Sequence, residues 1–386
     1  MRKSILFVTL AAIFGSNAIN AQDNQESRVI TTGVPFLLIA ADARSAGMGE
    51  QGVATSPDAY SQQWNPAKYA FIEQSQGVGV NYTPYLSQLV NDIFLGQLTY
   101  YNRLNERSAV GASFRYFSLG EVELRQTADE LGITEKPNEF TFDLSYSLRL
   151  SDQFSMAVAG RYLRSDLRIP DTNGDASAAG SFGVDIAGYY QSEAIVYNDF
   201  DGRWHAGFNI SNIGPKIKYD DAGQENFIPT NLRLGGGFDF ILDPYNTINV
   251  GLEFNKLLVP SPGDLNGDGV YDTEDAQLYN DIGFFNGIFK SFGDAQDGFS
   301  EEIKEVTWSL GAEYVYNDAF SLRTGYFNES DMKGSRKFAT LGLGFKYTTI
   351  DIDVSYLFST SNVRNPLENT LRFGITFGFG DEYTEY

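Results

Sequence analysis

From residue 77 onward, apolar and polar residues alternate with a period of two over nearly the whole chain. Phe140, Phe142, Leu144, Tyr146 and Leu148 fall on one side of such a segment, and Thr141, Asp143, Ser145 and Ser147 on the other. That spacing predicts a strand with one apolar and one polar face. The device recurs at 77–82, 94–100, 110–116, 154–162, 182–190, 204–210, 232–240, 248–254, 306–316, 322–326, 339–347, 350–358 and 371–379, so 14 strands are predicted. If the first strand rises outward, the inner connections 102–107, 149–152, 242–246, 317–319 and 348–349 are short, with 191–202 as the exception. The outer connections 119–139, 165–178, 211–230 and above all 255–305 are long. Short turns on one rim and long loops on the other predict an all-β fold, a transmembrane antiparallel β-barrel with both chain ends on the periplasmic side.

Composition supports this reading and narrows it. The chain has 30 Phe and 23 Tyr against 12 Pro, and tyrosines such as Tyr100, Tyr146, Tyr162 and Tyr347 recur near segment ends, where headgroup girdles form. Beyond the first residues there is no continuous apolar 18-mer, so a membrane-spanning form has to close its backbone hydrogen bonds as a barrel. Residues 1–21, with Arg2 and Lys3 before an apolar run and Ala21 before Gln22, have the layout of a cleaved signal peptide. Residues 22–76 are predicted to be short helical pieces, too few for a core of their own, that fill the lumen as a plug or hatch. The barrel is assigned to 77–380, with extracellular loops, and a periplasmic tail to 381–386. The expected location is the cell outer membrane, crossed many times, with long loops at the cell surface and lipid around the wall.

Charge and chemistry exclude more than they assign. A net charge of −22 argues against nucleic acid, and the absence of cysteine removes disulfides, thiolate metal sites and lipid anchoring. The single histidine, His205, has no evident catalytic partners, and no enzymatic activity is expected. Charged residues on the polar faces, among them Arg115, Asp143, Arg161, Arg233, Glu253, Glu313, Arg323, Asp351, Asp353 and Arg372, are expected to surround the plug.

Two stretches of the longest loop carry candidate sites. Asp264, Asn266, Asp268, the Val270 carbonyl, Asp272 and Asp275 fall at positions 1, 3, 5, 7, 9 and 12 of an EF-hand-like loop with Gly269 at the turn. Position 12 is Asp rather than Glu, closer to the calcium loops of dockerin domains. The expectation is a Ca2+ that orders the loop, against a solvated acidic turn. Asp171, Asn173 and Asp175 begin the same spacing without its glycine or distal acid and read as an acidic hairpin tip. Further on, Phe284, Phe285, Ile288, Phe289 and Phe292 form an apolar cluster that could fold over the rim, lie in the outer leaflet or enter a partner.

The segments Gly33-Val34-Pro35-Phe36-Leu37, Asp42-Ala43-Arg44-Ser45-Ala46-Gly47-Met48-Gly49, Asp58-Ala59-Tyr60 and Trp64-Asn65-Pro66-Ala67 give the chain its most recognisable section. With them the chain resembles the PorV (LptO) family of outer-membrane barrels of the type IX secretion system, itself similar to FadL channels. The resemblance implies a non-enzymatic component that binds the translocon barrel, receives secreted proteins bearing the C-terminal secretion domain, and shuttles them to the surface attachment complex. The aromatic cluster is then a candidate for translocon contact. The alternative is a FadL-like channel for hydrophobic small molecules.

Overall fold

The computed structural model describes residues 28–382 except 88, 126–131, 168–177, 220–223, 362 and 364. The expected signal segment 1–21, the Asp171 to Asp175 tip and the end of the tail at 383–386 lie outside the described residues. Fourteen long strands make the wall: β1 (Gln74–Pro84), β2 (Ile93–Arg103), β3 (Ser108–Leu119), β4 (Asn138–Arg149), β5 (Phe154–Asp166), β6 (Ala179–Gln191) and β7 (Asp201–Ile213) form the first half. The second half is β8 (Asn231–Asp243), β9 (Asn246–Leu257), β10 (Thr307–Tyr316), β11 (Phe320–Asn328), β12 (Lys337–Tyr347), β13 (Ile350–Ser359) and β14 (Leu371–Glu382). Each pairs antiparallel with its sequence neighbours, and β14 pairs back onto β1, so the sheet closes. Closure leaves no wall edge whose amides would go unpaired in lipid, at a cost of several kcal/mol each.

The first strand starts at Gln74 rather than 77 and the last reaches Glu382 rather than 380, because Gln74 pairs with Glu382 across a bulge that the alternation does not reveal. Alternation does set the faces. On β4, Phe142, Leu144 and Tyr146 are 46%, 55% and 49% exposed to the outside, whereas Thr141, Asp143 and Ser145 are buried in the lumen. The long inner connection between β6 and β7 is a hairpin extension, Ile195–Val196 pairing with Asp201 and Gly202. At the other end of that strand pair, Ser211 and Asn212 bulge against Asp185, with Asn212 at φ 60°. Its amide donates to Asp185 Oδ1 at 2.8 Å, and its side chain donates to the Pro229 carbonyl at 2.8 Å.

Residues 28–73 lie inside this wall. The Arg28 amide donates to the Met332 carbonyl on the long-loop rim, and Arg103 donates to the Ile72 carbonyl at the short-turn rim, so the segment runs the length of the lumen. It contains a 3-10 turn at Pro35–Leu38, α1 (Ala43–Gly47), α2 (Ser61–Trp64) and a second 3-10 turn at Pro66–Phe71. These are too short to persist alone and are fixed by caps and by the wall. Asp42 accepts from the Ser45 amide at 2.7 Å and from the Trp64 indole at 2.6 Å; Asn65 accepts from the Ala67 amide, with Pro66 opening the turn. Near the long-loop rim Val34, Phe36 and Leu37 pack against Leu95, Phe117, Leu163, Ile217 and Ile228.

Candidate functional site

The hatch is seated on a track of bare backbone. Six consecutive strands, β12 back to β7, offer Gly342, Gly325, Gly311, Gly251, Gly235 and Gly207 to residues 47–53. A Cβ on Gly342 would stand 3.0 Å from Gly47 Cα, and one on Gly325 would meet the Met48 and Gly49 backbone. On Gly311 it would meet the Met48 carbonyl, on Gly251 Gln51, and on Gly235 and Gly207 Val53. Only hydrogen at Gly342, Gly325, Gly311 and Gly207 lets the hatch backbone come this close to the wall, while Gly251 and Gly235 make room for the Gln51 and Val53 side chains.

Charges lock the register of this contact. Glu253 Oε2 accepts from the amides of Gly52 and Val53 at 2.8 and 2.9 Å. Arg44 bridges Asp58 at 2.7 Å and Glu313 at 3.0 Å, Glu313 holds Arg323 at 2.7 Å, and Arg323 holds Asp353 at 2.5 Å. Arg372 reaches Glu50 at 2.8 Å. Arg161 lies between Asp143 and Asp185 and also binds Asn212, the residue of the wall bulge. Asp351 is half-buried on the same lumen face; Arg115 is buried and donates to the Leu37 carbonyl at 3.4 Å. Such buried ions add little net stability, but a hatch shifted by one residue would part Arg44 from Glu313, Glu50 from Arg372 and the Gly52 and Val53 amides from Glu253, while the pairs within the wall would persist. A cavity of about 30 Å³ remains beside Arg44, Gln51, Ser56, His205, Asp239 and Glu313, a space of water size. His205 faces it, paired with Asp239 at 2.9 Å.

The long-loop rim is dominated by residues 258–306, with α3 (Thr273–Asp281), α4 (Phe284–Lys290) and α5 (Phe299–Lys304). The 264–275 loop winds around its own acids. Asp264 accepts from the amides of Gly267, Asp268 and Gly269, and Asp268 from Val270. Asp272 caps α3, and Asp275 accepts from Leu265, Asn266 and Asp272. Burial works against the Asp275 charge, but those three amides hold its carboxyl below the ordinary range. Asp264, Asn266, Asp268 and Val270 thus share one turn, while position 12 is already engaged by backbone.

The aromatic cluster divides. Gly287 packs α4 onto Phe227 and Pro260, and Phe284 and Ile288 sit half-buried on that side. Phe285, Phe289 and Phe292, 59%, 66% and 52% exposed, form an outward crest in which the first two rings touch at 5.6 Å. Phe299 and Ile303 on α5 are also exposed.

Beneath α5 lies a charge cluster that the sequence pattern does not reveal. Lys256 lies on the outward face of β9 by parity yet is buried, its ammonium 2.7 Å from both Glu302 and Glu305. Lys333 pairs with Glu301 at 2.7 Å and Glu305 at 2.9 Å, and Arg28 with Glu301 at 2.8 Å. The carboxylates of Asp294, Glu302 and Glu305 lie within 4.8 Å of one another. Burial pushes Asp294 up to about 6; the Ser261 amide opposes this and the Glu305 and Glu302 charges add to it. Strand parity could not locate the site, because a loop folding over the barrel exterior leaves no periodic signal.

Among solved structures the Pseudomonas putida toluene transporter TodX shares the fold at a TM-score of 0.52 and 13% identity, covering 89% of this chain and 99% of that one. The deltaS2S3 mutant of TodX, a monoaromatic hydrocarbon channel, gives 0.52 at 12% identity over 87% of this chain and 98% of its own. A Pseudomonas aeruginosa FadL homologue scores 0.46 at 12% identity, covering 92% and 100%. No curated protein matches the sequence. Residues 22–264 match the family described as type IX secretion system protein PorV, well over half of the chain. With a closed 14-strand wall around an internal N-terminal segment, the chain belongs to the PorV family of type IX secretion outer-membrane proteins.

Proposed function

We propose that this barrel is a secretion adaptor that docks on the type IX translocon barrel, receives secreted proteins bearing the C-terminal secretion domain and delivers them to the surface attachment complex, with the long-loop rim at the cell surface. The observation that carries the reading is where the molecule is closed and where it is open. Its lumen is filled by a hatch seated on glycine and locked by ion pairs, whereas its long-loop rim presents the Phe285, Phe289 and Phe292 crest. Exposed aromatics of this kind are anchors for a partner surface. A Ca2+ held by Asp264, Asn266, Asp268 and Val270, with Asp272 and Asp275, would stiffen the start of α3 and hence the crest that follows it.

The test is recovery of partners from detergent-extracted membranes with tagged protein. Wild type is expected to bring down the translocon and cargo. Replacing Phe285, Phe289 and Phe292 together by Ser should abolish recovery without loss of the folded barrel. Unchanged recovery, also after deletion of residues 282–292, would show that the crest is not the contact.

The alternative, a channel for hydrophobic small molecules, is favoured by one feature, the apolar cluster of Leu95, Phe117 and Leu163 around Phe36 and Leu37. Copurified lipid or hydrocarbon with no secretion partner would select it.

A further inference from the structure

The N-terminal arm joins the lumen to the surface loop. Arg28 reaches the long-loop rim, where its guanidinium is 2.8 Å from Glu301 and 3.2 Å from Asp297. Glu301 is 1% exposed and is shared with Lys333; Lys333 is shared with Glu305, and Glu305 with Lys256. An alternating row of charges therefore links the arm, α5, the β11–β12 loop and the outer end of β9. The next residues of the arm are equally committed. Ile30 packs on the cluster of Phe227, Val259 and Ile282; the Gly33 amide donates to the Phe227 carbonyl at 2.8 Å; and Phe36 stacks on Phe117. Between them Val34, fully buried, is held at φ 48° and ψ 50°, a left-handed conformation that a β-branched residue adopts only when its surroundings enforce it.

The other side of α5 faces outward. Phe299 and Ile303, one turn apart, are 79% and 55% exposed, while Glu301, Glu302 and Glu305 point to the cations. A six-residue helix has no stability of its own. Its order comes from neutralising those acids, and Arg28 supplies part of that neutralisation from inside the barrel mouth. Removing Arg28 leaves Glu301, among the described residues, with Lys333 as its one paired cation beside the Asp297 amide, which donates to it at 3.0 Å.

We propose that seating of the arm and ordering of α5 are coupled, so that the Phe299 and Ile303 face is presented only when the hatch is in place. The surface of the loop thereby reports the state of the lumen. Coupling of this kind is reciprocal, since whatever loosens α5 must also loosen the arm. The inference does not depend on which partner the loop meets.

The test uses the full mature barrel in detergent, with its folded state checked by heat-modifiable gel mobility. Arg28→Ala is expected to speed tryptic cleavage after Lys304 by roughly tenfold, the worth of one charge-assisted hydrogen bond to a buried acid. Arg28→Lys should recover most of the protection. In the opposite direction, Glu301→Gln should speed maleimide labelling of an Ile39→Cys reporter, behind the Phe36 plug, by a similar factor; the chain has no other cysteine. Equal cleavage at Lys304 with and without Arg28, in barrels that remain folded, overturns the coupling. So does labelling at position 39 that ignores Glu301.

Discussion

Gly325→Ala probes the contact between hatch and wall most directly. The added Cβ would lie 2.6 Å from the Met48 carbonyl oxygen and closer still to the adjoining peptide atoms. An ordinary separation is about 3.5 Å and the Met48 carbonyl carbon would stand at 2.1 Å, so the hatch backbone has to withdraw by roughly 1.4 Å. That displacement strains the two bonds Thr340 makes there, from the Gly49 amide at 2.9 Å and to the Gly47 carbonyl at 3.0 Å. Overpacking costs about 1–3 kcal/mol and each weakened hydrogen bond about 1. Against partial relaxation, a net loss of about 2–4 kcal/mol is expected, which raises the open population of the hatch by about 30- to 1,000-fold. Hydrogen exchange on peptides covering residues 43–55, in the detergent-solubilised barrel, should show this, while the gel mobility of the barrel stays unchanged. Gly160→Ala is the control, since a Cβ there meets nothing within 4 Å. If exchange in 43–55 is the same in Gly325→Ala as in wild type, the glycine track does not seat the hatch.

Asp185→Ala should cost about 3–5 kcal/mol, because Arg161 keeps only Asp143 as a buried counter-charge and the Asn212 bulge loses its acceptor; a urea midpoint indistinguishable from wild type refutes this. Asp294 is raised in the folded loop, so the fold binds its proton more tightly than the unfolded chain and loop stability falls as pH rises from about 4 to about 6. Asp294→Asn should remove that slope from the exchange of residues 291–305, and a slope that persists assigns it elsewhere. The 264–275 loop is expected to take Ca2+ in the weak range of about 10⁻⁴–10⁻³ M; calcium content unchanged by Asp264→Ala with Asp268→Ala rules it out.

The barrel was legible in the sequence because its signal is periodic. Phe142, Leu144 and Tyr146 must face lipid, Asp143 must not, and the same demand repeats along every stave. The hatch was legible as a separate region but not in its course, since Arg28 and Ile72 carry no periodicity that says which rim each one reaches. In the apolar cluster of the long loop Ile288 and Phe285 stand together in the sequence, whereas the approach of Gly287 to Phe227 turns Ile288 inward and leaves Phe285 out. The glycines of β7 to β12 stand scattered through strand-like segments. Their use became visible only once residues 47–53 were placed against them.

The seam between β1 and β14 bears on how the molecule is made. The hatch enters from β1 at the short-turn rim, yet Arg28 is bound at the opposite rim beneath a folded loop. A finished cylinder would have to be threaded end to end by a chain carrying Trp64, Tyr69 and several paired charges past a wall they pack against. If Phe373 to Glu382 pair with Gln74 to Tyr82 last, the wall would wrap around a hatch already lying against the middle strands. Assembly in that order would have one closing event, and a chain truncated before β14 would lose its container and its content together.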